Sequence, residues 1–184
     1  MTDSESQNTG TNNKKIFLPF APQDILPLLP LLSDGEVFIT EKTENGYTAD
    51  AGTAFRCAGR CVTASFALDA VAPAVIECVE ATGGIDRLVF APELTAHGRL
   101  LLDLSCDEMT EHTDAVNGFF ALCTCCVPYM LGRAEPEIVI VLPQEEDNCI
   151  SRIYRAAMKA AAGSVGEELS GCGIKVRSIE SPCL

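Results

Sequence analysis

The fold is decided by 138-IVIVLPQEEDNCISRIYRAAMKAAAGSVGEELSGCGIKVRSI-179. Its first five residues are a continuous apolar, largely β-branched run, as in parallel strands covered on both faces. An alanine-rich helix is predicted from Ser151 to Leu169, closing at 171-GCG-173, where glycine permits the chain to leave a helix. A second short apolar-rich run, 174-IKVRSI-179, then reads as the next strand. Strand, helix and strand in this order are the unit from which a doubly wound sheet is assembled.

Upstream, the same alternation recurs. The segment 85-IDRLVFAP-92 is a short buried strand ended by proline. Before it, 69-DAVAPAVIECVEATGG-84 carries apolar residues at helical spacing and ends in a glycine pair. After it, Ser105 and Glu108 form the S-x-x-E signature of a capped helix start. In that helix Val116, Phe119, Phe120, Cys123, Val127 and Met130 repeat at three and four, giving one apolar face. Nearer the N-terminus, 16-IFLPF-20 and 36-EVFIT-40 read as strands, and 45-NG-46 marks a turn. No period is evident between Thr48 and Thr63, and a strand is placed at Ala54–Val62 without one. There is no internal repeat.

At 184 residues and 47% apolar content, the chain can bury one core. One domain is expected over residues 14–184, preceded by a polar, disordered tail at 1–13. The net charge is −13, with Lys+Arg totalling only 13. Nucleic acid and anionic membranes require clustered positive charge, so neither is an expected partner. The apolar run 16-IFLPFAPQDILPLLPLL-32 is not a membrane helix, because Asp24 and Pro19, Pro22, Pro27 and Pro30 interrupt it. It reads as a buried strand followed by a short helix or turns, and a cytoplasmic location is expected.

Ten cysteines are present. Without a secretory signal they are expected to be free thiols. The cluster 123-CTCC-126 contains a C-x-x-C, and 57-CAGRC-61 a wider pair. Cys123, Cys125 and Cys126 lie in a periodic helix with Cys125 turned from the other two. No second pair follows at zinc spacing, and His97 and His112 stand alone. The preferred reading is small core side chains and no metal site; a thiol-based metal or redox protein is the alternative.

The order and spacing of these elements resemble the short-chain dehydrogenase/reductase family over roughly residues 67–182. The segment 84-GIDRLVFAPE-93 is similar to the strand leading into that family's N-N-A-G. The segment 105-SCDEMTEHTDAVNGFFALCTCCVPYML-131 resembles its long central helix, with Asn117 at the helix asparagine. The segment 138-IVIVLP-143 resembles the strand ending in the catalytic serine, and 155-RAAMKAAAGSVGEELSGCGIKVRSI-179 follows its K-A-A … E-L … G-I-R-V pattern. The resemblance implies a Rossmann-like α/β fold, a doubly wound and mainly parallel sheet with helices on both faces, shortened at the C-terminus. Its reaction would need a tyrosine and a lysine four residues later on one helix face, with NAD(P) as cofactor.

This sequence departs from that pattern at the tyrosine, lysine, serine and glycine-turn positions. Tyr154 and Lys159 are five apart, which at ~100° per residue separates them by about 140° around a helix. The ungapped register instead puts Ser151 at the tyrosine and Arg155 at the lysine. Arg155 keeps five donors but cannot exchange a proton near neutrality, and an ion pair at a surface or interface is its expected role. The serine position falls on Leu142 or Pro143. The following loop, 143-PQEEDNCI-150, is short. N-N-A-G becomes 90-FAPE-93, bringing Phe90, Pro92 and Glu93. The glycine-rich turn after the first strand becomes 20-FAPQDILP-27, which lacks glycine and places Asp24 where a phosphate would sit. Asn117 is expected to keep only a structural hydrogen bond.

The chain also stops, after 178-SIESPCL-184, where the family continues into a substrate-covering segment. The resulting expectation is a non-catalytic protein without cofactor or metal, acting as a structural or regulatory subunit. Its partner would be a second copy, or an active member of the family. The helices at 105–131 and 151–169 would form the contact, the second lined by Ala156, Ala157, Ala160, Ala161, Ala162 and Gly163. The alternative is an NAD(P)-dependent reductase of the ketone/alcohol or 3-oxoacyl type, with Tyr154 and Lys159 brought together by a helix distortion.

Overall fold

The structure is a computed structural model that describes residues 13–22, 25–41, 55–63, 65–92, 101–103, 105–143 and 149–180. Six strands form one sheet: β1 (Lys14–Leu18), β2 (Gly35–Glu41), β3 (Arg56–Val62), β4 (Arg87–Phe90), β5 (Glu137–Leu142) and β6 (Lys175–Glu180). Their spatial order is β3-β2-β1-β4-β5-β6, and every neighbouring pair is parallel. The expected "mainly parallel" sheet is therefore wholly parallel over the described residues. The chain winds outward from β1 through β2 to β3, returns to β4 beside β1, and winds the other way to β6. That reversal between β1 and β4 is the topological switch point, where ligands of such sheets bind.

Alternate residues of each strand face opposite sides. Phe17, Phe38, Leu88, Phe90, Ile138 and Ile140 point to one side. There they meet α2 (Leu68–Thr82), α3 (Cys106–Met130) and α4 (Cys149–Leu169). On the other side, Ile16, Val37, Ile39, Val89, Val139 and Val141 meet Ile25, Leu28, Leu31 and Leu32. The proline-rich segment supplies that second layer as a 3-10 turn at Leu26–Leu28 followed by α1 (Leu29–Leu32), only one turn long. Pro27 and Pro30 each sit at a helix start, where a missing N–H costs least.

The helix ends follow the sequence signals. Ser105 Oγ accepts the Glu108 N–H at 3.2 Å, and Glu108 Oε2 accepts the Ser105 N–H at 2.8 Å, completing the capping box of α3. Gly83, at φ 79°, supplies the left-handed residue that ends α2. The strand placed at Ala54–Val62 is realised as Arg56–Val62, with a register shift against β2 between Val37 and Phe38. The turn expected at Asn45–Gly46 lies outside the described residues. Among the described residues no helix is long and apolar enough to cross a membrane.

The N-terminal ends of the strands carry a lattice of charges. Arg87, 5% exposed, donates to Asp34 Oδ1 at 2.6 Å and Oδ2 at 3.0 Å, to Glu137 Oε1 at 2.5 Å, and to the Leu31 carbonyl. Lys14 reaches Asp34 and Glu137 at 3.8 and 3.7 Å, and Arg177 reaches Glu137 at 3.2 Å. Burial raises the Glu137 carboxyl, but the Arg87 and Arg177 contacts outweigh it and hold its pKa below the ordinary value. Nearby, Asp86 accepts from Arg133 at 2.5 Å and from the Lys15 N–H at 2.7 Å.

Candidate functional site

The switch-point crevice is bounded by the turn after β1, the end of β4, the entry to α2, and α3. Phe20, two residues beyond β1, has φ 53°, a left-handed conformation that a bulky side chain rarely adopts. Its N–H donates to Thr40 Oγ1 at 2.9 Å, and the Ala21 N–H donates to the Thr40 carbonyl at 3.0 Å. Pro22 has no N–H. The amides of Phe20 and Ala21 are thus held by buried Thr40 at the end of β2 and are not presented to an anion. Asp24, expected beside a phosphate, and Glu93 lie outside the described residues.

Aromatic rings fill the same region. The rings of Phe20 and Phe66 lie 4.2 Å apart, those of Phe66 and Phe90 6.3 Å apart, and those of Phe90 and Phe119 5.7 Å apart. All four residues are buried. Phe66 seats against α3 at Gly118, where a Cβ would come within 2.6 Å of the Phe66 Cβ and Cδ1. Phe90 stands out in the sequence through 90-FAPE-93, whereas nothing local groups it with Phe20, Phe66 and Gly118. A glycine inside a strongly periodic helix was the available signal, because it marks a close approach by another element.

The head of α4 holds the residues singled out for chemistry. Ser151, Tyr154 and Arg155 are all buried. Arg155, 6% exposed, donates through Nη1 to the Pro143 carbonyl and through Nη2 to Glu180 Oε1 at 2.7 Å. It thereby ties α4 to the ends of β5 and β6. The expected ion pair exists at the chain's own surface: the guanidinium is buried, while its partner Glu180 is 65% exposed. The Arg155 contact holds the Glu180 carboxyl below its ordinary pKa, with Lys159 adding to the effect from 3.6 Å.

Tyr154 is 2% exposed, its hydroxyl has no hydrogen-bond partner among the described residues, and its ring meets His112 of α3 edge-on at 5.8 Å. Burial pushes its phenol pKa well up, away from values useful near neutrality. Lys159 is instead 52% exposed and directed to Glu180 on β6. Tyr154 and Lys159 therefore diverge, one into the core against α3 and the other toward the sheet edge. The helix distortion required to bring them together is absent, since α4 is helical throughout Cys149–Leu169.

Asn117 is on the exposed side of α3, and among the described residues its side chain makes no hydrogen bond. The structural bond expected for it is thus not found, because the residue faces away from the sheet. Leu142 is buried in β5, and Pro143 contributes only its carbonyl.

The described thiols run from buried to exposed, with Cys61 and Cys125 half-buried between the extremes. Cys78, Cys123 and Cys126 are core residues, and burial pushes the Cys78 and Cys123 thiols up to about 12, far from the reactive thiolate. Cys57, Cys106, Cys149 and Cys172 are exposed, so the core reading of cysteine does not extend to them. Among the described residues no three His, Cys, Asp or Glu side chains converge as metal ligands.

No protein-family model matches the sequence, and no curated protein resembles it. Solved structures do match the fold. A short-chain dehydrogenase from Mycobacterium thermoresistibile superposes with a TM-score of 0.77 at 21% identity, over 92% of this chain and 68% of that one. L-Sorbose reductase from Gluconobacter frateurii, solved with NADPH and L-sorbose, gives 0.74 at 15% identity over 91% and 68%. An NADPH-bound short-chain oxidoreductase from Pseudomonas aeruginosa PAO1, described as containing an atypical catalytic center, gives 0.75 at 15% identity over 90% and 70%. With a wholly parallel sheet in the order 3-2-1-4-5-6, the chain has the Rossmann-like fold of the short-chain dehydrogenases/reductases.

Proposed function

We propose that this protein is a non-catalytic relative of the short-chain dehydrogenases, acting as a structural or regulatory subunit without a bound dinucleotide. The observation that carries the reading is Arg155. At the position that resembles the family's lysine, its guanidinium is buried and committed to the Pro143 carbonyl and Glu180. It can neither exchange a proton nor turn toward a ribose without breaking the strand ends it joins. The turn after β1 agrees, because the amides of Phe20 and Ala21 are taken by Thr40 and are not offered to a pyrophosphate.

The subunit would assemble through the outer faces of α3 and α4. Met109 and Phe120 on α3 and Ile153 on α4 are exposed large apolar residues. Ala156, Ala160 and Gly163 lie at exposed positions of α4, whereas Ala161 and Ala162 belong to the core. Small residues beside exposed apolar ones suit close two-fold packing of helices. A second copy of this chain is the favoured partner, and an active family member is the other.

Calorimetric titration with NADH and NADPH tests the first part: no saturable heat is expected, and micromolar binding would sink it. Sedimentation of the wild type and Ala160→Glu tests the second, with a dimer expected to become a monomer. A second reading, an NAD(P)-dependent oxidoreductase with a rearranged site, draws on one observation. The Tyr154 hydroxyl is buried without a partner beside His112, an arrangement that costs stability and is found at reactive sites. Carbonyl-dependent NADPH oxidation abolished by Tyr154→Phe would establish that reading instead.

A further inference from the structure

We infer that the rings of Phe20 and Phe66 are the switch-point crevice's permanent occupant, a built-in plug that joins the turn after β1 to α3. The inference rests on the reading that the chain holds no dinucleotide and says what takes its place. Loss of glycines alone would leave an open notch between the ends of β1 and β4. The structure has instead a row of contacting rings from Phe20 through Phe66 and Phe90 to Phe119.

Two features indicate that this row is built rather than a chance collapse. Phe20 is held in a left-handed backbone conformation that a large side chain adopts only when its surroundings enforce it. Here Thr40 fixes its amide, and the 4.2 Å ring contact fixes its side chain. On the opposite wall, α3 has a glycine where Phe66 sits, and any larger residue would collide with the Phe66 Cβ and ring. One wall is bent toward the plug and the other is hollowed to receive it. A ligand that merely binds the native state raises stability only while it is present. A covalently attached plug gives its contacts at every ligand concentration, so the space between the turn after β1 and α3 is filled whether or not a ligand is present.

The test uses the whole protein and proton NMR contacts. In wild type, the Phe66 ring should show contacts to the Gly118 α-protons and to the Phe20 ring, unchanged by saturating NADH or NADPH. Phe66→Ala should gain saturable uptake of indole, an aromatic probe suited to an apolar cavity, with shifts confined to Phe20, Phe90, Gly118 and Phe119. Wild type should take up none. Absence of the Phe66–Gly118 contact in wild type would overturn the plug, whatever the calorimetry says about nucleotides. Nucleotide binding that abolishes the Phe20–Phe66 contact would overturn both the plug and the functional reading. Nucleotide binding that leaves the contact in place and shifts none of Phe20, Phe66, Phe90 and Gly118 would overturn the functional reading alone; binding that shifts them would overturn both. If Phe66→Ala does not fold, the wild-type contacts decide the matter without it.

Discussion

The two ends of the parallel sheet are built from opposite materials. At the N-terminal ends, Lys14, Asp34, Arg87, Glu137 and Arg177 form a connected set of charges. At the C-terminal ends, among the described residues, phenylalanine rings meet at the switch point, Thr40 holds the turn after β1, and Arg155 with Glu180 works as a clamp. Proteins of this architecture place their ligands at the C-terminal ends, so polar groups are ordinarily wanted there. Here the polar lattice stands at the opposite end, where it orients strands. The contrast teaches that one sheet can order its strands by charge at one end and by apolar packing at the other.

The largest effect is expected at the apolar end. Phe119→Ala removes the fully buried ring that ends the row and should lower unfolding free energy in urea by about 4 kcal/mol. A loss below about 1 kcal/mol would mean that the rings are loosely packed, and the contrast would fail. Next comes the polar end. Arg87→Ala leaves Glu137 and the Leu31 carbonyl without their main donor and should cost about 3 kcal/mol. A near-neutral result would show that Lys14 and Arg177 suffice.

Tyr154→Phe should act in the other direction, raising stability by about 1 kcal/mol, because it removes a buried hydroxyl that lacks a partner. Destabilisation would reveal a partner held by that hydroxyl. The smallest effect concerns pH. Asp86 and Glu137 have pKa values held below their ordinary 3.8 and 4.5, despite burial, by Arg133 and by Arg87 with Arg177. A lowered folded-state pKa gives stability that is complete above the unfolded value and is lost as pH falls through the folded one. Thermal midpoints should therefore be flat above about pH 5 and fall below it, less steeply in Glu137→Gln. An unchanged acid limb in that variant would remove Glu137 from the lattice's role.

Much of the architecture was legible because it depends on local periodicity. The βαβ unit from Ile138 to Ile179, the capping box at Ser105 and the glycine stop of α2 each announce themselves within a few residues. β3 did not, because its sequence, RCAGRCV, occupies the edge of the sheet, where no continuous apolar face is required. Ser151 and Arg155 lie near the head of α4, within the helix expected there, and helix geometry separated Tyr154 from Lys159. The partners of Arg155 were beyond reach, since Pro143 and Glu180 lie 12 and 25 positions away. Phe20 was illegible for a different reason: its left-handed backbone runs against local preference and is imposed by Thr40 and Phe66.

The clamp at Arg155 has a consequence for the outermost strand. β6 is bordered only by β5 among the described strands, and most of its side chains are exposed. Such a margin ordinarily opens first in hydrogen exchange, fraying from its ends inward. Here Arg177 fastens it near one end to Glu137, while Arg155 and Lys159 fasten the other through Glu180. Its amides should open together with those of β5, as one cooperative margin.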